Sequence, residues 1–139
     1  MKSIYDRRDY KYIVLPNNMK CFLISDPVSE KSAASLQVQV GCLQDPKDCS
    51  GVAKLLSSVL MNDSKHQSYD EFLLRNGGKS NSYTSLDTTN FHFEVFNQGF
   101  DEGLHRFSEF FSKPKFKNTK QNINILKTLD SEITKYDIC

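Results

Sequence analysis

The chain has no tryptophan, no Cys-x-x-Cys pair, no excess of either charge and no long apolar run, and each gap removes a class of explanation. Its 18 Lys and Arg stand against 17 Asp and Glu, a formal net charge of +1. No field of one sign is present to attract nucleic acid or an anionic membrane surface, so neither partner is expected. No stretch approaches the roughly 20 apolar residues of a spanning helix. Residues 1–11 are charged where a secretory leader would be apolar. Cys21, Cys42, Cys49 and Cys139 show no metal-binding spacing, and reduced structural thiols are expected; Cys42 and Cys49, flanking one loop, are the pair best placed to meet. Together with the missing leader, this gives a cytoplasmic expectation. His66, His92 and His105 are isolated, which suits surface or boundary roles.

What is present is aromatic. Ten Phe and six Tyr among 139 residues predict an aromatic-rich core in one domain or part of one. Residues 10–15 and 19–24 are β-rich runs separated by Pro16-Asn17-Asn18, a hairpin signal. Leu36, Val38 and Val40 alternate with polar residues after a polar loop over 25–32, so a half-buried strand is expected there. Ser50 is a candidate N-cap for a helix over 50–60. A short helix over 69–76 has Ser68 as a possible cap and Gly77-Gly78 as its stop. Strands over 81–85 and 90–96 follow, then a helix carrying Phe100, Leu104, Phe107 and Phe111, which Pro114 ends. A last helical pattern from about residue 118 carries Ile123, Leu126, Leu129, Ile133 and Tyr136. This order predicts an α+β fold, a mostly antiparallel sheet with helices packed on one face.

The helix over 50–60 repays a closer reading. Val52, Leu55, Leu56, Val59 and Leu60 recur at helical spacing, which places Lys54, Ser57 and Ser58 on a different face at i, i+3 and i+4. That is the layout of the inverted zinc motif His-x-x-Glu-His, whose spacing aims two imidazoles at one metal and a carboxylate at its water. Here the three positions hold an ammonium and two hydroxyls.

Several segments, taken in order, resemble the insulinase-type (pitrilysin-type) zinc metallopeptidases, in particular the first domain of their insulin-degrading branch. They are Tyr10-Lys11-Tyr12-Ile13-Val14-Leu15-Pro16-Asn17, Leu23-Ile24-Ser25-Asp26-Pro27, Lys31-Ser32-Ala33-Ala34, Val40-Gly41 and Asp45-Pro46-Lys47-Asp48. Asn76-Gly77-Gly78, Ser80-Asn81-Ser82-Tyr83-Thr84-Ser85, Thr89-Asn90, Arg106-Phe107, Phe110-Phe111 and Asp130-Ser131-Glu132 continue the series. Each is weak alone; their order and spacing carry the resemblance.

The resemblance implies that residues 1–139 are the N-terminal portion of one peptidase domain, with an incomplete sheet. It implies that the first zinc His falls on Lys54, the general-base Glu on Ser57, the second His on Ser58 and the third ligand on Glu132, which alone retains a ligating side chain. The family's supporting Glu falls on Ile125. Catalytic zinc takes about three protein ligands and an open water position, so no zinc cofactor and no catalytic residue are expected in this chain. A Lys54–Glu132 ion pair in place of the metal, or Lys54 reaching to water, are the two outcomes open to the vacated positions. The resemblance also implies that an edge strand matching Asn81, Ser82, Tyr83 and Thr84 takes extended peptides by strand addition, which needs no metal. The connection over 61–67 is shorter than the family's.

Two functional readings follow. In the first, this is a non-catalytic, peptide-binding or structural domain that pairs with other domains or the other half of an insulinase-type protein; an open edge also permits a homodimer. In the second, it is the scaffold part of an active zinc metalloendopeptidase whose motif lies elsewhere in a longer chain or in a partner subunit.

Overall fold

The computed structural model describes residues 2–61, 64–112 and 114. The chain divides into two compact units, Met1–Glu30 and Lys31–Cys139.

The first unit is a hairpin. Strands β1 (Asp9–Val14) and β2 (Lys20–Ser25) pair antiparallel from Asp9↔Ser25 to Val14↔Lys20. The Pro16-Asn17-Asn18 turn closes as expected: Asn18 N donates to Leu15 O at 2.9 Å, and Asn18 takes φ 64°. A type I turn followed by one left-handed residue is a common three-residue hairpin loop, and Asn tolerates that conformation. Tyr10, Tyr12, Phe22 and Ile24 share one face, with Tyr10 stacked on Phe22 at 5.9 Å. Before β1, Asp6 accepts from Arg8 Nε at 2.9 Å and from Tyr10 Oη at 2.7 Å. Those bonds hold its carboxyl well below the usual carboxylate range.

The second unit holds a three-stranded antiparallel sheet in the order β3-β5-β4, built from β3 (Lys31–Val38), β4 (Lys79–Thr84) and β5 (Thr89–Phe96). Among the described residues its α-helices are α1 (Val52–Met61), α2 (Ser64–Arg75) and α3 (Phe100–Ser112). Phe91, Phe93 and Val95 of central β5 point to one face and are buried. Ala34 and Leu36 lie opposite Phe93 and Phe91 in the register and share that face. All three helices cover it: Leu60 and Met61 from α1, Tyr69, Phe72 and Leu73 from α2, and Phe100, Phe107, Phe110 and Phe111 from α3 join one core. The core is aromatic, as composition predicts, with Phe93–Phe107, Tyr69–Phe110 and Phe91–Phe111 centroids 5.1, 5.1 and 5.0 Å apart.

Several boundaries differ from the sequence reading. Strand β3 starts at Lys31 inside the expected loop, because Lys31 to Ala34 pair with Phe96 to Phe93 and the pairing outweighs their weak strand propensity. Helix α2 starts at Ser64, so Ser68 lies inside it rather than capping it, and the connection after α1 is largely helix. Its stop is as expected. Gly77, at φ +66°, follows the last turn; Gly78 N donates to Leu73 O at 2.7 Å and Gly77 N to Leu74 O at 3.1 Å, the Schellman pattern. Cys49 is a free thiol, so no bridge joins it to Cys42. The helical pattern from residue 118, including Ile125 and Glu132, lies outside the described residues.

Candidate functional site

Helix α1 is positioned from its first turn. Ser50 was the expected cap, but Asp45 supplies it from the preceding loop: its Oδ2 accepts from Gly51 N at 2.7 Å and its Oδ1 from Ala53 N at 2.8 Å. A carboxylate there satisfies otherwise orphaned amides and meets the positive end of the helix dipole. The loop is fixed in turn by the β4–β5 connection. Cys42 N donates to Ser85 O at 3.0 Å and Leu43 N to Leu86 O at 2.8 Å. Gly41 makes that approach possible, since a Cβ there would collide with Ser85 O.

Further along, the burial of α1 departs from its hydrophobic pattern. Ser57, expected on the polar face, is only 3% exposed, whereas Leu56 is 45% exposed. Small side chains, Ala53 and Ser57, form the helix's buried line and let its backbone approach the sheet. Ser57 Oγ donates to Lys54 O at 2.8 Å and lies 3.3 Å from Thr84 Oγ1 at the end of β4. Thr84 Oγ1 is also 3.3 Å from Thr89 Oγ1, which donates to Val40 O at 2.7 Å. A hydroxyl has one proton. That of Ser57 goes to the Lys54 carbonyl, so Thr84 donates to Ser57 while accepting from Thr89 Oγ1, whose proton is shared with Val40 O. Lys54 and Ser58 are half-buried on the same helix.

This donor set does not fit zinc. An ammonium has no lone pair, and the Ser57 hydroxyl is committed to its own helix. Among the described residues no group of three or more His, Cys, Asp or Glu could hold a metal. His92 is engaged on the other sheet face, its Nδ1 lying 3.1 Å from Asn90 Oδ1, while Asn90 Nδ2 donates to Ser35 Oγ. Glu132, the partner expected for Lys54, falls outside the described residues.

Residues 79–84 form β4, which among the described residues pairs with β5 alone and so is an edge strand of this sheet. At the turn, Ser85 N donates to Thr88 O at 2.8 Å. Since hydrogen-bonded and non-bonded pairs alternate, Tyr83, Asn81 and Lys79 bond across to β5. The backbone groups of Ser80, Ser82 and Thr84 therefore point to the open edge, while their side chains face the helices. Ser82 N accordingly turns outward and donates to Asn81 Oδ1 at 2.8 Å. Asn81 and Tyr83 lie on the opposite face, Tyr83 edge-on to His92 at 6.3 Å. Ser80 Oγ donates to Asp70 Oδ1 of α2 at 2.8 Å. Beside Asp70, burial pushes the Tyr69 hydroxyl well above its usual value, with the Asp70 charge adding to the shift.

The geometry thus brings Ser57 to Thr84 and makes Asn81, Ser82, Tyr83 and Thr84 part of a sheet edge. Sequence reasoning missed Asp45 and Asp70. Asp45 lies six residues before the first amide it caps, beyond any local capping pattern, and the Asp70–Ser80 bond depends on tertiary packing.

Helix α1, with Lys54, Ser57 and Ser58 at i, i+3 and i+4, thus packs beside the edge strand of an antiparallel sheet. The sequence profile of Insulinase (Peptidase family M16) matches residues 20–138, and the chain belongs to that family. Over 136 residues it is 38% identical to Insulin-degrading enzyme-like 2 of Arabidopsis thaliana, covering 95% of this chain and 14% of that protein. It is 35% identical to the insulin-degrading enzyme of Homo sapiens over 135 residues, 94% of this chain and 13% of that one. The crystal structure of pitrilysin aligns with a TM-score of 0.72 at 36% identity, over 79% of this chain and 12% of that chain. The chain thus spans about one seventh of its relatives' length.

Proposed function

We propose that this chain is a segment of an insulinase-family protein that holds extended peptides at the β4 edge and supplies no zinc chemistry itself. The observation that carries the reading is the outward row of backbone groups at Ser80, Ser82 and Thr84, which a peptide can pair with whatever its own side chains. On the metal side, Lys54 and Ser58 stand where the family resemblance places imidazoles. Ser57 stands where it places the general base, so the chain offers no group there to activate water. Glu132 remains as a residual ligand position only. The partners in this reading are the other domains or the second half of a longer protein. A second copy of the chain competes for the same edge.

The second reading, a scaffold within an active zinc metalloendopeptidase, is favoured by the enzyme names of the relatives and by the 14% of the relative's length that the chain covers. In that case, an intact His-x-x-Glu-His lies elsewhere in a longer chain or in a partner subunit.

Metal content after dialysis tests the first half of the proposal, comparing the native chain with a variant carrying Lys54→His, Ser57→Glu and Ser58→His. The native chain is expected to be metal-free and the variant to take up about one equivalent. Stoichiometric zinc in the native chain would sink that half. Amide chemical shifts of Ser80 and Thr84 during titration with an extended peptide test the other half, and unmoved shifts at saturating peptide would refute it.

A further inference from the structure

Extended peptides pair with a sheet edge regardless of sequence unless a side chain beside the edge discriminates, and β4 has such a side chain. Ser80 directs its backbone to the open edge and its hydroxyl to the helix side, where it donates to Asp70 Oδ1 at 2.8 Å. In an added strand, the residue directly across from Ser80 shares its face, with Cβ atoms about 5 Å apart. A side chain there emerges beside the Asp70 carboxylate. Asp70 is exposed on α2, so it keeps acceptor capacity beyond the bond from Ser80. Among the described residues, two cations are engaged elsewhere: Lys79 lies on the opposite sheet face, 3.8 Å from Glu94, and Arg106 bonds Glu102 at 2.7 Å while lying over the Phe72 ring.

We infer that Asp70 makes the β4 edge selective for extended peptides carrying Lys or Arg at the residue beside Ser80. The inference rests on strand addition at β4 and names the class of peptide that this edge takes.

The test uses the full chain at low ionic strength and three dye-labelled peptides, Thr-Val-Thr-Xaa-Thr-Val-Thr with Lys, Gln or Glu at the variable position. Fluorescence anisotropy is expected to rank them Lys, Gln, Glu, each step about two- to fivefold in Kd, the range of an exposed charge pair. The ranking flattens in about 0.5 M salt, where the Debye length falls below about 5 Å. Asp70→Asn keeps an acceptor for Ser80 and is expected to bring the Lys and Gln peptides to equal affinity while leaving the Gln peptide unchanged. Binding of all three without the ranking, or a ranking that survives Asp70→Asn, overturns the role of Asp70 and leaves strand addition standing. Failure of every peptide to bind overturns strand addition, and this inference with it.

Discussion

Ser57 Oγ lies 3.3 Å from Thr84 Oγ1, joining the middle of α1 to the last residue of the edge strand. With the Ser57 proton on the Lys54 carbonyl, the hydrogen between Ser57 and Thr84 comes from Thr84, which in turn accepts from Thr89. Thr84→Val keeps the shape and removes that hydrogen. Urea unfolding should then show a loss of about 1 kcal/mol, whereas Ser57→Ala, which leaves Thr84 bonded to Thr89, should cost less. Equal losses would place the tie elsewhere.

Asp45→Ala removes both acceptors from the start of α1. A cap of this kind contributes about 0.5–2 kcal/mol, and Asp45→Asn should recover part of the loss because one amide oxygen still accepts. Ser50→Ala should have little effect by comparison. Thermal melts of the three variants check the assignment of the cap.

The Asn81 side chain occupies an outward amide of the edge strand. Asn81→Ala should speed hydrogen exchange at Ser82 and raise the tendency of the chain to self-associate, since a bare edge amide is a template for pairing. Exchange measured by NMR, with sedimentation at rising concentration, reads both effects.

Tyr69 gives an alkaline signature. Its folded hydroxyl holds its proton more tightly than an unfolded tyrosine does, so the contribution to stability is complete below about pH 10. Above that pH the unfolded state ionises first, and stability falls as pH rises toward the folded value. Denaturant midpoints across this range should decline in the native chain and decline less in Tyr69→Phe.

Local signals were legible wherever local chemistry decides the structure. Pro16-Asn17-Asn18 closed the hairpin and Gly77-Gly78 ended α2 because φ preference acts at single residues. The alternation of Phe91, Phe93 and Val95 marked the buried face of β5. What escaped was decided at a distance. Lys31 to Ala34 became strand only by pairing with β5, and Ser57 became buried only because a small side chain lets the helix approach β4. The candidate site was legible as a helix spacing and a strand edge, while Asp45 and Asp70, which hold those elements, are connected to them through space.

The anchoring of α1 has an evolutionary consequence. Asp45 fixes its first turn and Ser57 ties its middle to Thr84 of the edge strand. A helix secured in this way binds distant positions to one another, so across lineages a substitution at Ser57 favours a matching change at Thr84.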